Sequence, residues 1–316
     1  MRRFLRLVLC VVLGATAADC KTTSDATTPE YEFTDLTAAY VAFFDRTKDL
    51  ATDARVAAFK ADMAARFPGF YDAARLTYMT PGEYDASIAR SFAQFPQRRE
   101  AFTRTSASFR SMLQPAIDSF VRTFSDFRSA GHIVLLHSLG ETDGGTRNLG
   151  GRSYLVFGAD VMARLHAPGE ERPFFHHELF HVYNGQFFGD CDAVWCALWM
   201  EGLAVYVSEQ LNAGASDAEL LLTSPRPIRA AVDANLVRAV CAIRARLDST
   251  AQQDYASFFI GSSSFEDLPP RSGYYIGYLA LKQAGKTQSP SALAHLDQSQ
   301  ARAALESALS DIATCP

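Results

Sequence analysis

Pro173-Phe174-Phe175-His176-His177-Glu178-Leu179-Phe180-His181-Val182-Tyr183-Asn184 sets two histidines four residues apart, with a glutamate directly after the first. On a helix, residues four apart stand one turn apart on the same face, so both imidazoles can reach a single metal ion. Glu178 then lies beside the first ligand and can take a proton from water without ligating the metal itself. The flanks favour a helix. Pro173 suits a first-turn position, Glu170 and Glu171 favour the positive end of the helix dipole, and Gly185 is the expected stop. His176 points about 100° away around such a helix and falls to a second-shell or surface position, outside the ligand set.

About twenty residues after His181 comes Trp199-Met200-Glu201-Gly202-Leu203-Ala204-Val205-Tyr206. Its apolar residues mark a second buried helix, in which Glu201 is a costly charge unless it is paired. Two histidines and one glutamate leave a fourth position open on zinc, the arrangement of a catalytic rather than a structural site. The reading therefore assigns His177, His181 and Glu201 as ligands of Zn2+ and Glu178 as the catalytic base.

These residues resemble the gluzincin metallopeptidases, which include thermolysin-like and aminopeptidase N-like enzymes, and are most similar to a group of little-characterised bacterial zinc-dependent proteases. The resemblance spans residues 173 to about 283. It implies a two-lobed catalytic domain with zinc between a sheet-plus-helix lobe and a helical lobe, acting on a peptide or protein substrate. It also implies a downstream Tyr or His that steadies the oxyanion. In Pro269-Pro270-Arg271-Ser272-Gly273-Tyr274-Tyr275-Ile276-Gly277-Tyr278, Tyr274 stands three before Gly277, similar to the Tyr-x-x-Gly step of the aminopeptidase N-like branch. Tyr275 is the alternative. The Gly-x-Met-Glu-Asn segment that binds a free amino terminus in that branch is absent, so aminopeptidase activity does not follow. A non-catalytic zinc domain that binds a peptide or protein in the same cleft is the competing reading, and retention of Glu178 disfavours it.

Outside this region the chain reads as α+β and mostly helical. Residues 31–130 look helical throughout, with Thr34 or Asp35 capping a first helix and further helices over 83–95, 97–113 and 115–128, punctuated by Pro96 and Pro115. Their phenylalanines read as helix-on-helix core. His132 to Ser138 and Ser153 to Phe157 read as two strands joined by a long glycine-rich turn. The second of them is an edge that could accept an extended peptide. The glycines match neither phosphate-binding pattern, and no repeat recurs at a fixed period. The catalytic domain is expected over 131–316, behind a helical N-terminal region over 31–130.

The N-terminus has the order of an export signal over residues 1–19: Met1-Arg2-Arg3, an apolar run from Phe4 to Gly14, then Ala15-Thr16-Ala17. Cys20 follows, with a polar tether over 20–30, which resembles a bacterial lipoprotein anchor; Asp19 departs from the usual small residue before that Cys. The apolar run is shorter than the ~20 residues a membrane span requires, so no span is expected in the mature chain. Export to the periplasm, outer membrane or medium is expected. Cys191, Cys196, Cys241 and Cys315 then read as disulfides, with three pairings open. Bridges between Cys191 and Cys196 and between Cys241 and Cys315 would fix the start of the Glu201 helix and tie down the C-terminus. The chain of 316 residues is 48% hydrophobic and 21% charged with a net charge of -5. That balance, without a long basic run, argues against nucleic acid as a partner.

Overall fold

The computed structural model describes residues 29–166, 170–261 and 265–316. The export signal, Cys20 and most of the tether lie outside them. Four strands form one mixed sheet: β1 (Glu30–Asp35), β2 (Ser129–Leu136), β3 (Gly144–Leu149) and β4 (Arg152–Gly158), in the order β1-β2-β4-β3. β1, β2 and β4 run parallel, and β3 returns antiparallel to β4. Ile133, Val134, Leu135 and Leu136 of β2 are all buried, as a central parallel strand covered on both faces requires.

Helices make up the rest. α1 (Thr37–Thr47), α2 (Thr52–Ala61), α3 (Met63–Arg66) and the long α4 (Pro81–Thr123) connect β1 to β2. α5 (Ala159–Leu165) and α6 (Arg172–Phe188) follow the sheet. The second lobe is helical: α7 (Val194–Leu211), α8 (Ile228–Asp233), α9 (Leu236–Arg244), α10 (Gln252–Phe259), α11 (Ser272–Ala284), α12 (Pro290–Ala294) and α13 (Gln298–Ile312). The fold is α+β and mostly helical, as the sequence implies.

Four details differ from the sequence reading. Residues 30–35 form an edge strand rather than the start of a helix, because Phe33 packs on Phe109 of α4 while the backbone pairs with β2. The N-cap of α1 is Leu36 rather than Thr34 or Asp35, although the Asp35 carboxylate accepts the N–H of Thr37 at 2.8 Å. Second, α4 is one helix of 43 residues that runs through Pro96 and Pro115. Both prolines lie on the exposed side, while Phe92, Phe95, Phe102, Phe109 and Phe120 bury one continuous stripe that holds the helix together. Third, part of the glycine-rich stretch is a strand, β3, closed onto β4 by Gly150 and Gly151 at φ +60° and +79°. Only a tight turn with positive φ at both central residues joins strands this way, and glycine adopts it without strain. Fourth, β4 is therefore interior, and β3 is the edge on that side, opposite β1.

The two lobes meet where α6 packs on α7, and within the helical lobe α11 packs tightly on α7. A Cβ on Gly202 of α7 would fall 2.4 Å from the carbonyl carbon of Gly277 of α11, and one on Gly277 would fall 2.5 Å from the carbonyl oxygen of Leu198. The missing side chains let these helices touch backbone to backbone. No described helix is long and apolar enough to cross a membrane.

Disulfides join Cys191 to Cys196 and Cys241 to Cys315, with Cα atoms 6.0 and 5.5 Å apart. The first holds the start of α7; the second, spanning a separation of 74, ties the C-terminus to α9. Alkylation of the unreduced, unfolded protein should label none of these four cysteines. Cys241→Ser with Cys315→Ser should lower stability by about 2–4 kcal/mol in chemical denaturation, since the long loop is released in the unfolded chain. Full labelling in protein from its native compartment would contradict both bridges.

Candidate metal centre

α6 is buried along most of its length, and the helix continues past Gly185 to Gly189, where φ reaches +73°. Gly189 rather than Gly185 supplies the left-handed residue that ends it. Its opening carbonyl at Pro173 accepts the hydroxyl of Ser208 from α7, so α6 and α7 are pinned at both ends of their contact. The other end is the candidate site.

There His177 Nε2 lies 3.2 Å and His181 Nε2 3.3 Å from Glu201 Oε2, and the two imidazole nitrogens stand 3.1 Å apart. These three residues form a group that can hold a metal ion. The spacing supports that. Three ligand atoms around a tetrahedral cation with bonds of about 2.0–2.1 Å sit ~3.3 Å from one another. Protons alone serve the cluster poorly, because two facing imidazole nitrogens 3.1 Å apart share only one. A cation satisfies all three lone pairs together.

The electrostatics agree with a site built around positive charge. Burial opposes ionisation of Glu201, yet the charge on His181 and the hydrogen bonds of both histidines hold its carboxyl far below the usual range. Burial likewise opposes charge on His181, and the Glu201 carboxylate overrides it, lifting the imidazole to about 9. His177 is pushed down, first by burial.

Glu178 is buried beside His177, and among the described residues no group donates a hydrogen bond to it. Burial pushes its carboxyl up to about 7, and the nearby charges of Glu201 and Asp143 act in the same direction. Tyr274, on α11, places its ring 6.2 Å from that of His177 at an interplanar angle of 23°. Burial and the Glu201 charge push its phenol well up, so it stays protonated and able to donate. Tyr275 points elsewhere: its hydroxyl donates to Asp233 at 2.9 Å. The structure thus brings together His177, Glu178, His181, Glu201 and Tyr274.

His176 is not at the surface. It is buried, with Nε2 3.0 Å from the carbonyl of Ala116 and 2.9 Å from Ser119 Oγ, while Asn212 donates to Nδ1. Those bonds tie α4, α6 and the end of α7 together behind the site. Two neighbours escaped the sequence reading. Arg271, at φ +64°, lays its guanidinium 4.4 Å from the Tyr274 ring centre. Asp143, at the start of β3, lies close enough to raise the Glu178 carboxyl and faces His166 at 3.5 Å. The only sequence signal for Arg271 was its place in the Pro-Pro-Arg turn before α11.

Comparison of the chain with protein-family models, curated proteins and solved structures yields no match.

Metal-free protein at pH 8 should take up about one zinc ion per chain and release about one proton, because His181 is still protonated below about 9 and must lose that proton to ligate. Affinity should rise as the pH is raised toward 9. Calorimetry in buffers of different ionisation enthalpy reads the proton count. His181→Ala and Glu201→Ala should each lose most of the metal; full occupancy in both would dismiss the assignment.

Proposed function

We propose that the chain is an exported zinc-dependent peptidase that cleaves peptide bonds with a water activated by Glu178. The observation that carries this reading is Glu178 itself. The residue is mostly buried, no described residue donates to its carboxyl, and that carboxyl opens to solvent beside the metal group, where it is placed to take a proton from water. A domain that held zinc only to bind a partner would have no need of it.

His177, His181 and Glu201 would hold the zinc, in the two-histidine, one-glutamate set that leaves a position open. When bound, zinc supplies Lewis acidity that polarises the scissile carbonyl and acidifies water at that open position. Glu178 accepts the proton of the attacking water and passes it to the leaving amine. Tyr274 donates its phenol proton in a hydrogen bond to the oxygen on which charge develops, and the Arg271 guanidinium on its ring holds it in place. The substrate backbone has a natural track along β3, whose outer edge is unpaired within the sheet and which packs against α6 through Gly144 and Phe174. An extended peptide added there is fixed by main-chain hydrogen bonds. The two disulfides and the leader-like N-terminus support a location outside the cytoplasm.

Glu178→Gln should fold and keep its zinc yet lose about two orders of magnitude or more in turnover of a mixed peptide library. Near-normal cleavage would remove Glu178 from the mechanism. Tyr274→Phe should lower kcat more than it raises KM, because the phenol is needed when charge develops. Tyr275→Phe should leave kcat close to normal. A kcat loss in Tyr275→Phe alone would reverse that assignment.

A further inference from the structure

A second cavity, of about 260 Å³, opens beyond the carboxyl end of β2, between α4 and α5. None of its lining residues belongs to the metal group. Phe95 and Phe102 form an apolar wall and are both buried. Arg90 and Arg98 reach it from α4 and Arg164 from α5. Among the described residues none of the three arginines has a carboxylate partner, although most other arginines of the chain do.

His137, directly after β2, lies in the floor and is 5% exposed. Its ring stacks on Tyr40 at 4.0 Å between centres. Nδ1 accepts the N–H of Leu139 at 3.2 Å. Burial, with the nearby charges of Arg98 and Arg164, lowers the imidazole against the opposing pull of Asp160, so the ring is neutral. A neutral ring that accepts at Nδ1 carries its proton on Nε2, and among the described residues Nε2–H has no partner. It is a buried donor left to the cavity.

Asp160 also lines the cavity, as a buried carboxylate whose Oδ2 lies 3.5 Å from His137 Nδ1, and the loop takes up its hydrogen bonds. One carboxylate oxygen accepts the N–H of Ser138 at 2.6 Å and its hydroxyl at 3.0 Å, and the other accepts the N–H of Gly140 at 2.8 Å. Those bonds hold the loop, and Asp160 forms an ion pair with none of the three arginines. The three arginines are exposed to solvent where they line the cavity, so an entering ligand meets three positive charges against the single carboxylate of Asp160.

We propose that this cavity is a binding site for a small organic anion, in which Arg90, Arg98 and Arg164 hold a phosphate or carboxylate group, His137 Nε2–H donates to it, and Phe95 and Phe102 cover its apolar body. Guanidinium forks match both anionic groups, and the fixed loop and stacked imidazole need no rearrangement to receive them. The site is separate from the metal centre and stands whether or not the peptidase reading does.

The test is calorimetric titration of the full exported chain with phenyl phosphate, benzoate and neutral benzamide. One of the two anions should bind saturably at one site and at least about tenfold more tightly than benzamide, since the charge-assisted contacts are lost without the anion. Preference for phenyl phosphate or for benzoate tells which anionic group the arginines favour. Arg98→Gln with Arg164→Gln should weaken that binding at least about tenfold while the thermal midpoint and zinc content stay unchanged. His137→Phe, which keeps the stacked ring and deletes the donor, should weaken it less. Benzamide binding as tightly as the anions, anion binding unchanged in the double variant, or no saturable binding of either anion would each overturn the proposal.

Discussion

A carboxylate in an apolar helix is the constraint on which the rest depends. α7 buries Leu198, Trp199, Leu203, Ala204, Val205 and Val207 around Glu201, and a lone charge placed there costs several kcal/mol. His177 and His181 are the groups that offset it. The pairing fixes where α6 crosses α7, and so joins the lobe built on the sheet to the helical lobe. The opposing glycines then decide how close α11 can come. With Gly202 and Gly277 in backbone contact, Tyr274 reaches the same side of α7 as Glu201.

The remaining elements serve that junction. His176 and Asn212 link α4 and α7 behind the candidate metal group, so the long helix acts as a brace across the first lobe. The Cys191–Cys196 bridge fixes the start of α7, one and a half turns before Glu201 on the ~3.6-residue period. The hairpin turn at Gly150 and Gly151 folds β3 back along β4 and leaves it at the sheet edge beside α6. On the proposed reading, an extended peptide added to that edge would run across the site.

What could be read from sequence was what is encoded locally. The His177–His181 spacing reflects one helical turn, and Glu201 stood out as a charge within an apolar run. Tyr274 was legible through its distance from Gly277, although only the structure separates it from Tyr275, whose hydroxyl is taken by Asp233. Nonlocal features escaped. β1 is a six-residue edge strand whose pairing partner lies about a hundred residues away, so its own residues read as the start of α1. Pro96 and Pro115 are helix breakers by local rule, and only tertiary burial of the phenylalanine stripe carries α4 through them. β3 is glycine-rich and weak in strand propensity, which made β4 look like the edge. Arg90, Arg98 and Arg164 read as solvated surface and are exposed; what the sequence does not show is that α5 brings Arg164 to the same cavity as the two arginines of α4.

The account depends on one metal ion at the α6–α7 crossing. Anomalous diffraction at the zinc edge, on crystals of the zinc-loaded protein, tests this most directly. A single strong peak should lie about 2.0–2.2 Å from His177 Nε2, His181 Nε2 and a Glu201 carboxylate oxygen, with Glu178 close by but unligated. A peak held by other residues, or none at this crossing while Glu201 and the two histidines keep their places, would contradict it.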